Sequence, residues 1–122
     1  MRIIVDTDVL WKPRVLQQLA DQPADVVVPA IVFTERARQY RKRGWSPDAL
    51  SLHLRAAQMV VEDFRPEHGL RYAARLVKDG QWKRLARDAM IAGHLEQDDI
   101  LWTGNAKDFL ALGVPEEQIH RT

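Results

Sequence analysis

Apolar positions along this chain fall into short β-branched runs separated by longer stretches with helical spacing. Ile3-Ile4-Val5 is the first run, and an uninterrupted apolar stretch of this length predicts a strand buried on both faces. From Val9 to about Ala20 the spacing becomes helical, with Val15, Leu16 and Leu19 sharing one side. Val26-Val27-Val28 predicts a second strand. Pro29 follows where a helix over residues 30–43 would begin, a position at which its missing N–H costs nothing. Ser46-Pro47-Asp48 predicts the start of a third helix, with serine as cap and an acid near the positive end of the dipole; this helix reaches roughly Gln58.

Met59-Val60-Val61, with Phe64 beyond it, suits a third strand. Pro66-Glu67 opens a helix that Asp79-Gly80 would end, the glycine accepting a left-handed backbone. A further helix is expected around Leu85 to Glu96, then a turn at Asp98-Asp99 and a strand at Ile100-Leu101-Trp102. Residues 106–112 read as a short helix and Ile119-His120 as a last edge strand. Strands alternating with helices imply an α/β fold: a three-layer α/β/α sandwich around a mostly parallel sheet of four or five strands.

Composition narrows the picture. At 122 residues the chain makes one domain, hence one active site is sought. The net charge of +1 is silent about partners, because a nucleic-acid binder needs a local basic face and not a basic total. With no cysteine, disulfides, thiolate zinc sites and a cysteine nucleophile are excluded together, so any metal must be held by oxygen or imidazole. The N-terminus meets Asp6 after three apolar residues and lacks a signal-peptide core, and no uncharged apolar run approaches the ~20 residues of a membrane span. A cytoplasmic protein with no membrane partner is expected.

In parallel sheets ligands bind beyond the carboxyl ends of the strands. Asp6 directly follows the first strand, with Asp8 two residues on. Glu35 shares the stripe of Ile31 and Val32 on its helix, where a carboxylate needs a partner. Asp88 opens the small-residue run Asp88-Ala89-Met90-Ile91-Ala92-Gly93, and Asp108 lies just past the strand at 100–102. Carboxylates brought this close repel one another unless a cation neutralises them. Hard divalent ions such as Mg²⁺ or Mn²⁺ prefer oxygen ligands and keep places for water and a phosphate, so metal-assisted phosphodiester hydrolysis is the chemistry such a set suits.

The segments Ile4-Val5-Asp6-Thr7-Asp8-Val9-Leu10, Glu35, Asp88-Ala89-Met90-Ile91-Ala92 and Thr103-Gly104-Asn105-Ala106-Lys107-Asp108-Phe109, in that order, resemble the PIN family. Within it, the chain looks most like the VapC-like ribonuclease toxins of toxin–antitoxin pairs. The resemblance implies that Asp6, Glu35, Asp88 and Asp108 form an acidic Mg²⁺ or Mn²⁺ site and that Thr103 and Asn105 support it by hydrogen bonds. It also implies an RNA substrate, a cognate antitoxin protein and a homodimer. Asp8 departs from the asparagine more usual there and adds negative charge, leaving open whether it touches metal.

Arg36, Arg38, Arg41, Lys42 and Arg43 cluster on the helix that carries Glu35, a run read first as a solvated face. Lys83 and Arg87, next to Asp88 in sequence, are the better candidates for holding phosphates beside a scissile bond. Trp102 is expected in the core and Trp11 at an interface, while His53, His68, His94 and His120 show no ligand spacing and read as incidental. A receiver-like signalling domain would need an acceptor Asp after the third strand, where Phe64-Arg65-Pro66 stands. A haloacid-dehalogenase-like phosphatase would need Thr at Leu10. A PIN nuclease of RNA processing and a catalytically silent PIN binding module are the remaining alternatives.

Overall fold

The structure, a computed structural model, describes residues 1–75 and 78–122. Its centre is a five-stranded sheet of β1 (Arg2–Val5), β2 (Asp25–Pro29), β3 (Met59–Glu62), β4 (Ile100–Thr103) and β5 (Ile119–Arg121), in the order β3-β2-β1-β4-β5. Every pairing is parallel, with Ile3 opposite both Val26 and Ile100. The β-branched runs explain this. Ile3, Ile4, Val5 and Val28 are buried to within 1 % of full burial, as central parallel strands require when helices cover both faces. Because the chain adds strands on one side of β1 and then returns to its other side, the topological switch point lies between β1 and β4.

Among the described residues six α-helices cover the sheet: α1 (Pro13–Ala20), α2 (Ala30–Lys42), α3 (Asp48–Ala56), α4 (Pro66–Ala73), α5 (Trp82–Ala92) and α6 (Ala106–Ala111). Several boundaries differ from the sequence expectation, each for a local reason. The helix expected from Val9 to Ala20 is two pieces, a 3₁₀ turn at Thr7–Trp11 and then α1. Pro13 forces the preceding Lys12 into an extended conformation (φ −103°, ψ 100°), which breaks the helix there. Ser46 does not cap α3; Pro47 holds the cap position, and Gln58, at φ 58°, supplies the left-handed residue after the helix.

The helix expected from Pro66 to Asp79 ends at Ala73, and residues 76 and 77 of that span lie outside the described residues. Gly80 is no left-handed terminator, since it belongs to a 3₁₀ turn, Asp79–Gln81, that leads into α5. Helix α5 therefore starts three residues before Leu85 and stops at Ala92, short of Glu96. Its exit at Gly93 passes so close to α4 that a Cβ there would lie 2.6 Å from the His68 carbonyl oxygen.

Trp102 is in the core, as expected, with the His120 ring against it at a centroid distance of 4.1 Å. The histidines are not incidental. His94 is fully buried and donates from Nδ1 to Glu62 at 2.7 Å, while His68, 3 % exposed, places Nε2 3.3 Å from the same carboxylate oxygen. The Arg65 backbone N–H donates to His68 Nδ1, so the proton of that ring sits on Nε2 and faces Glu62. Arg2 closes the group, donating to the other Glu62 oxygen at 2.6 Å and to Asp99 at 2.7 Å. With a guanidinium beside the carboxylate, these three ligand-type side chains form a buried hydrogen-bonded network.

Burial holds the His94 imidazole below its usual range, and the Glu62 hydrogen bond only partly offsets this. A histidine whose folded-state pKa lies below its unfolded value favours the unfolded chain when it protonates, so stability should fall as pH drops below about 6.5. Between pH 7 and pH 5 His94 should pull the thermal midpoint down, a contribution read as the difference between wild type and a His94 variant. His94→Asn keeps an N–H donor for Glu62 but cannot titrate, and its decline should be shallower; an equal slope in both proteins would assign the acid sensitivity elsewhere.

Candidate active site

Asp6 ends β1. Its backbone N–H continues the ladder to the Trp102 carbonyl oxygen on β4, which fixes the residue at the switch point. Both carboxylate oxygens are held: Oδ1 accepts the Thr7 backbone N–H at 2.7 Å and Oδ2 accepts the Thr103 hydroxyl at 2.7 Å. Thr103 is fully buried, and its hydroxyl in turn accepts the Asn105 backbone N–H at 2.9 Å, locking the turn after β4 to the turn after β1.

Helix α2 brings Glu35 to the same place, where it accepts the Thr7 hydroxyl at 2.6 Å. Helix α5 brings Asp88, 4 % exposed. Asn105 then spans Asp88 and Asp108, with its side-chain nitrogen 3.4 Å from one carboxylate and 2.8 Å from the other. Four acids separated by up to 102 positions therefore meet beyond the carboxyl edge of the sheet, and Thr103 and Asn105 brace them.

At the centre of the group is Arg87. Its guanidinium donates to Glu35 at 2.6 Å, to Asp6 at 2.8 Å, to the Thr7 hydroxyl at 2.8 Å and to Asp88. Burial opposes its charge, but the hydrogen bond to Glu35 and the charge of Asp6 outweigh that and raise its pKa. In this arrangement Arg87 faces the carboxylates, whereas Lys83 is exposed on the outer first turn of α5. Arg84 pairs with Asp108 at 2.7 Å, and this bond, after that from Asn105, holds the Asp108 carboxyl below its usual range. Arg84 belongs with Lys83 and Arg87 to the basic residues that precede Asp88 in sequence, and it lies one turn before that acid.

Asp8 stands to one side. Its Oδ2 accepts from the Gly104 backbone N–H and from Lys12, each at 2.9 Å, while Oδ1 is buried without a hydrogen-bond partner. Position 104 must be glycine for this contact, because a Cβ would fall 2.3 Å from that Asp8 oxygen. Asp8 thus ties the two strand-end turns together and shares the lining of an open cleft of about 290 Å³ with Asp6, Glu35 and Arg87.

The charge balance is unfinished. Four carboxylates face two guanidinium groups, and burial, against the charge of Arg87 and aided by those of Asp6 and Asp108, pushes the Asp88 carboxyl up to about 6. Burial is the first cause of that rise, and the neighbouring carboxylates add to it against the charge of Arg87. With Arg87 between them, no three of the four acids bring oxygens within 4.8 Å of one another. The donor set is all hard oxygen, already hydrogen-bonded on its outer side and short of positive charge on its inner side. These residues fit a divalent cation by charge and ligand type, and the Arg87 guanidinium stands among them.

The fold is shared with several solved structures. A chain of VapBC-1 from nontypeable Haemophilus influenzae superimposes with a TM-score of 0.72 at 18% identity, covering 99% of this chain and 98% of that one. A chain of VapBC2 from Rickettsia felis, solved bound to a DNA fragment from their promoter, gives 0.69 at 16% identity over 100% and 99%. A chain of FitAcB from Neisseria gonorrhoeae gives 0.64 at 19% identity over 98% and 96%. No curated protein sequence matches this chain. The PIN domain model matches residues 3–109, a span that holds the whole acidic group, and this chain therefore belongs to the PIN domain family.

Proposed function

We propose that this protein is a Mg²⁺- or Mn²⁺-dependent endoribonuclease that acts as the toxin of a toxin–antitoxin pair. The observation that carries the reading is the meeting of Asp6, Glu35 and Asp88 around one guanidinium at the switch point of the sheet. Family membership supports a nuclease. The fold shared with chains of VapBC and FitAcB complexes, with the resemblance of the motifs to VapC-like toxins, supports the pairing with an antitoxin protein. The homodimer implied by that resemblance belongs to the same reading, and light scattering reads it directly.

Asp6, Glu35, Asp88 and Asp108 would hold the cation, with Asp8 beside them. A bound dication supplies a lowered pKa for a water molecule and a positive charge for the phosphate oxygens. The chain's own residues do the rest. Thr7, Thr103 and Asn105 hold the carboxylates in fixed rotamers from their outer sides, so little reorganisation is left for the reaction. Arg87, bound to three acids, keeps the group assembled, and its guanidinium would be available to a phosphate if a dication neutralised the carboxylates. Lys83, exposed one turn earlier, would meet the backbone of a longer substrate.

Incubation with single-stranded RNA and Mg²⁺ or Mn²⁺ should give cleavage that EDTA abolishes and that Asp6→Asn reduces roughly 100-fold. Cleavage that survives both controls would reject the mechanism. Induced expression without an antitoxin should slow growth, and Asp88→Asn should relieve it. An equally toxic variant would dismiss the toxin reading.

The proton on Asp88 gives a further readout. Its folded-state pKa lies above the unfolded value, so its contribution to stability is present below about 4 and lost as pH rises through about 6. In EDTA, Asp88→Asn should therefore melt higher than wild type at pH 7, and the gap should close toward pH 4. A variant that melts lower at pH 7 would contradict the strained carboxylate.

A further inference from the structure

Arg36 lies one residue from Glu35 but faces away from the acids. Only 7 % exposed, it is set apart from Arg38, Arg41, Lys42 and Arg43, which stay on the outer face or beyond the end of α2. Its guanidinium carbon sits 5.0 Å from the centroid of the Tyr40 ring and 5.8 Å from that of Trp11. Among the described residues it forms no ion pair, and its one hydrogen bond goes to Gln39 at 2.9 Å. A cation this buried is costly to leave without an anion, and the two ring faces offset only part of that cost.

The guanidinium borders a pocket of about 330 Å³ floored by Leu10, Leu50, Leu54 and Met59. Trp11, 45 % exposed, forms part of the wall of this pocket and also of the acidic cleft. Gln39, the hydrogen-bond partner of Arg36, lines the cleft as well. A strand leaving the cleft would therefore cross Trp11 before it reached Arg36. The pocket offers a flat aromatic face, an apolar floor and one buried positive charge lacking a counter-ion, next to where a phosphodiester would be cut.

We propose that this pocket is a nucleotide subsite for single-stranded RNA, in which Trp11 stacks on the base next to the scissile phosphate and Arg36 pairs with that nucleotide's own phosphate. A nucleobase is flat and largely apolar on its faces, so the aliphatic floor does not penalise it, and every base can use the same aromatic face. An acidic peptide would satisfy Arg36 but would leave the edge of Trp11 toward the cleft unused. The proposal rests on RNA being the substrate of the neighbouring cleft, yet its test does not need cleavage.

Binding of a short fluorescent single-stranded RNA is measured by anisotropy in EDTA, for wild type, Trp11→Ala, Trp11→Phe and Arg36→Gln. Trp11→Ala should weaken binding about tenfold, and Trp11→Phe should restore most of it. Arg36→Gln should weaken binding and flatten its log–log dependence on salt by about 0.7, the loss of one phosphate contact, while the melting temperature holds or rises. A merely structural arginine would lower the melting temperature and leave the salt slope alone. Folded variants that bind RNA like wild type overturn the proposal, and so do variants that keep RNA binding but lose a co-expressed antitoxin, since the pocket is then a protein-docking site. Trp11-dependent binding without any metal-dependent cleavage would uphold the subsite and reject the nuclease reading. Cleavage without Trp11 dependence would do the reverse.

Discussion

Repulsion among carboxylates, held in check by a single guanidinium, is the constraint on which the rest of the site depends. Asp6 and Asp88 are almost fully buried, and like charges buried side by side repel unless a cation stands between them. Arg87 supplies one positive charge to three acids. Burial, with the charges of Asp6 and Asp108 added to it, leaves the Asp88 carboxyl raised to about 6. A site built only for stability would have carried fewer acids or more arginines, so the imbalance is what points beyond structure to a dication.

The outer side of the group is treated differently from the inner side. Thr7, Thr103 and Asn105 give each acid a neutral hydrogen bond from behind, which fixes the carboxylate without cancelling its charge. Gly104 lets the turn after β4 approach Asp8 closely enough for its N–H to reach the carboxylate. The two turns at the switch point are thereby one rigid unit. Charge stays in excess only where the cleft opens, and that is the side from which a substrate must come.

At the amino end of β1 the same strand solves the opposite problem. Arg2 is matched by Glu62 and Asp99, and the two buried histidines complete the Glu62 side, so this network is closed electrostatically apart from His94 Nε2. One end of the strand thus anchors α4, α5 and β4 to the sheet through satisfied charges, and the other presents unsatisfied ones. Arg36 is a third case, a buried cation whose shortage is of negative charge, placed a short way along the same surface.

Much of this was legible in the sequence. Uninterrupted Val and Ile runs marked the strands, though Val60 and Val61 on the edge strand β3 stay exposed, and an Asp immediately after such a run must sit at a strand's carboxyl end. That fixed Asp6 at the edge, the short turn after β4 kept Asp108 near it, and the stripe shared with Ile31 and Val32 pointed Glu35 inward. The sequence did not decide what stood between the acids. Arg87 as counter-ion and Arg87 as phosphate ligand are written with the same residue, and only the packing of α5 against the sheet chooses the direction of its side chain. Arg36 in a basic run, His68 and His94 without ligand spacing, and Gly80 beside an aspartate are the same kind of case. Burial and partnership are properties of surfaces brought together by folding, and local spacing carries no record of what arrives from the other side of the sheet.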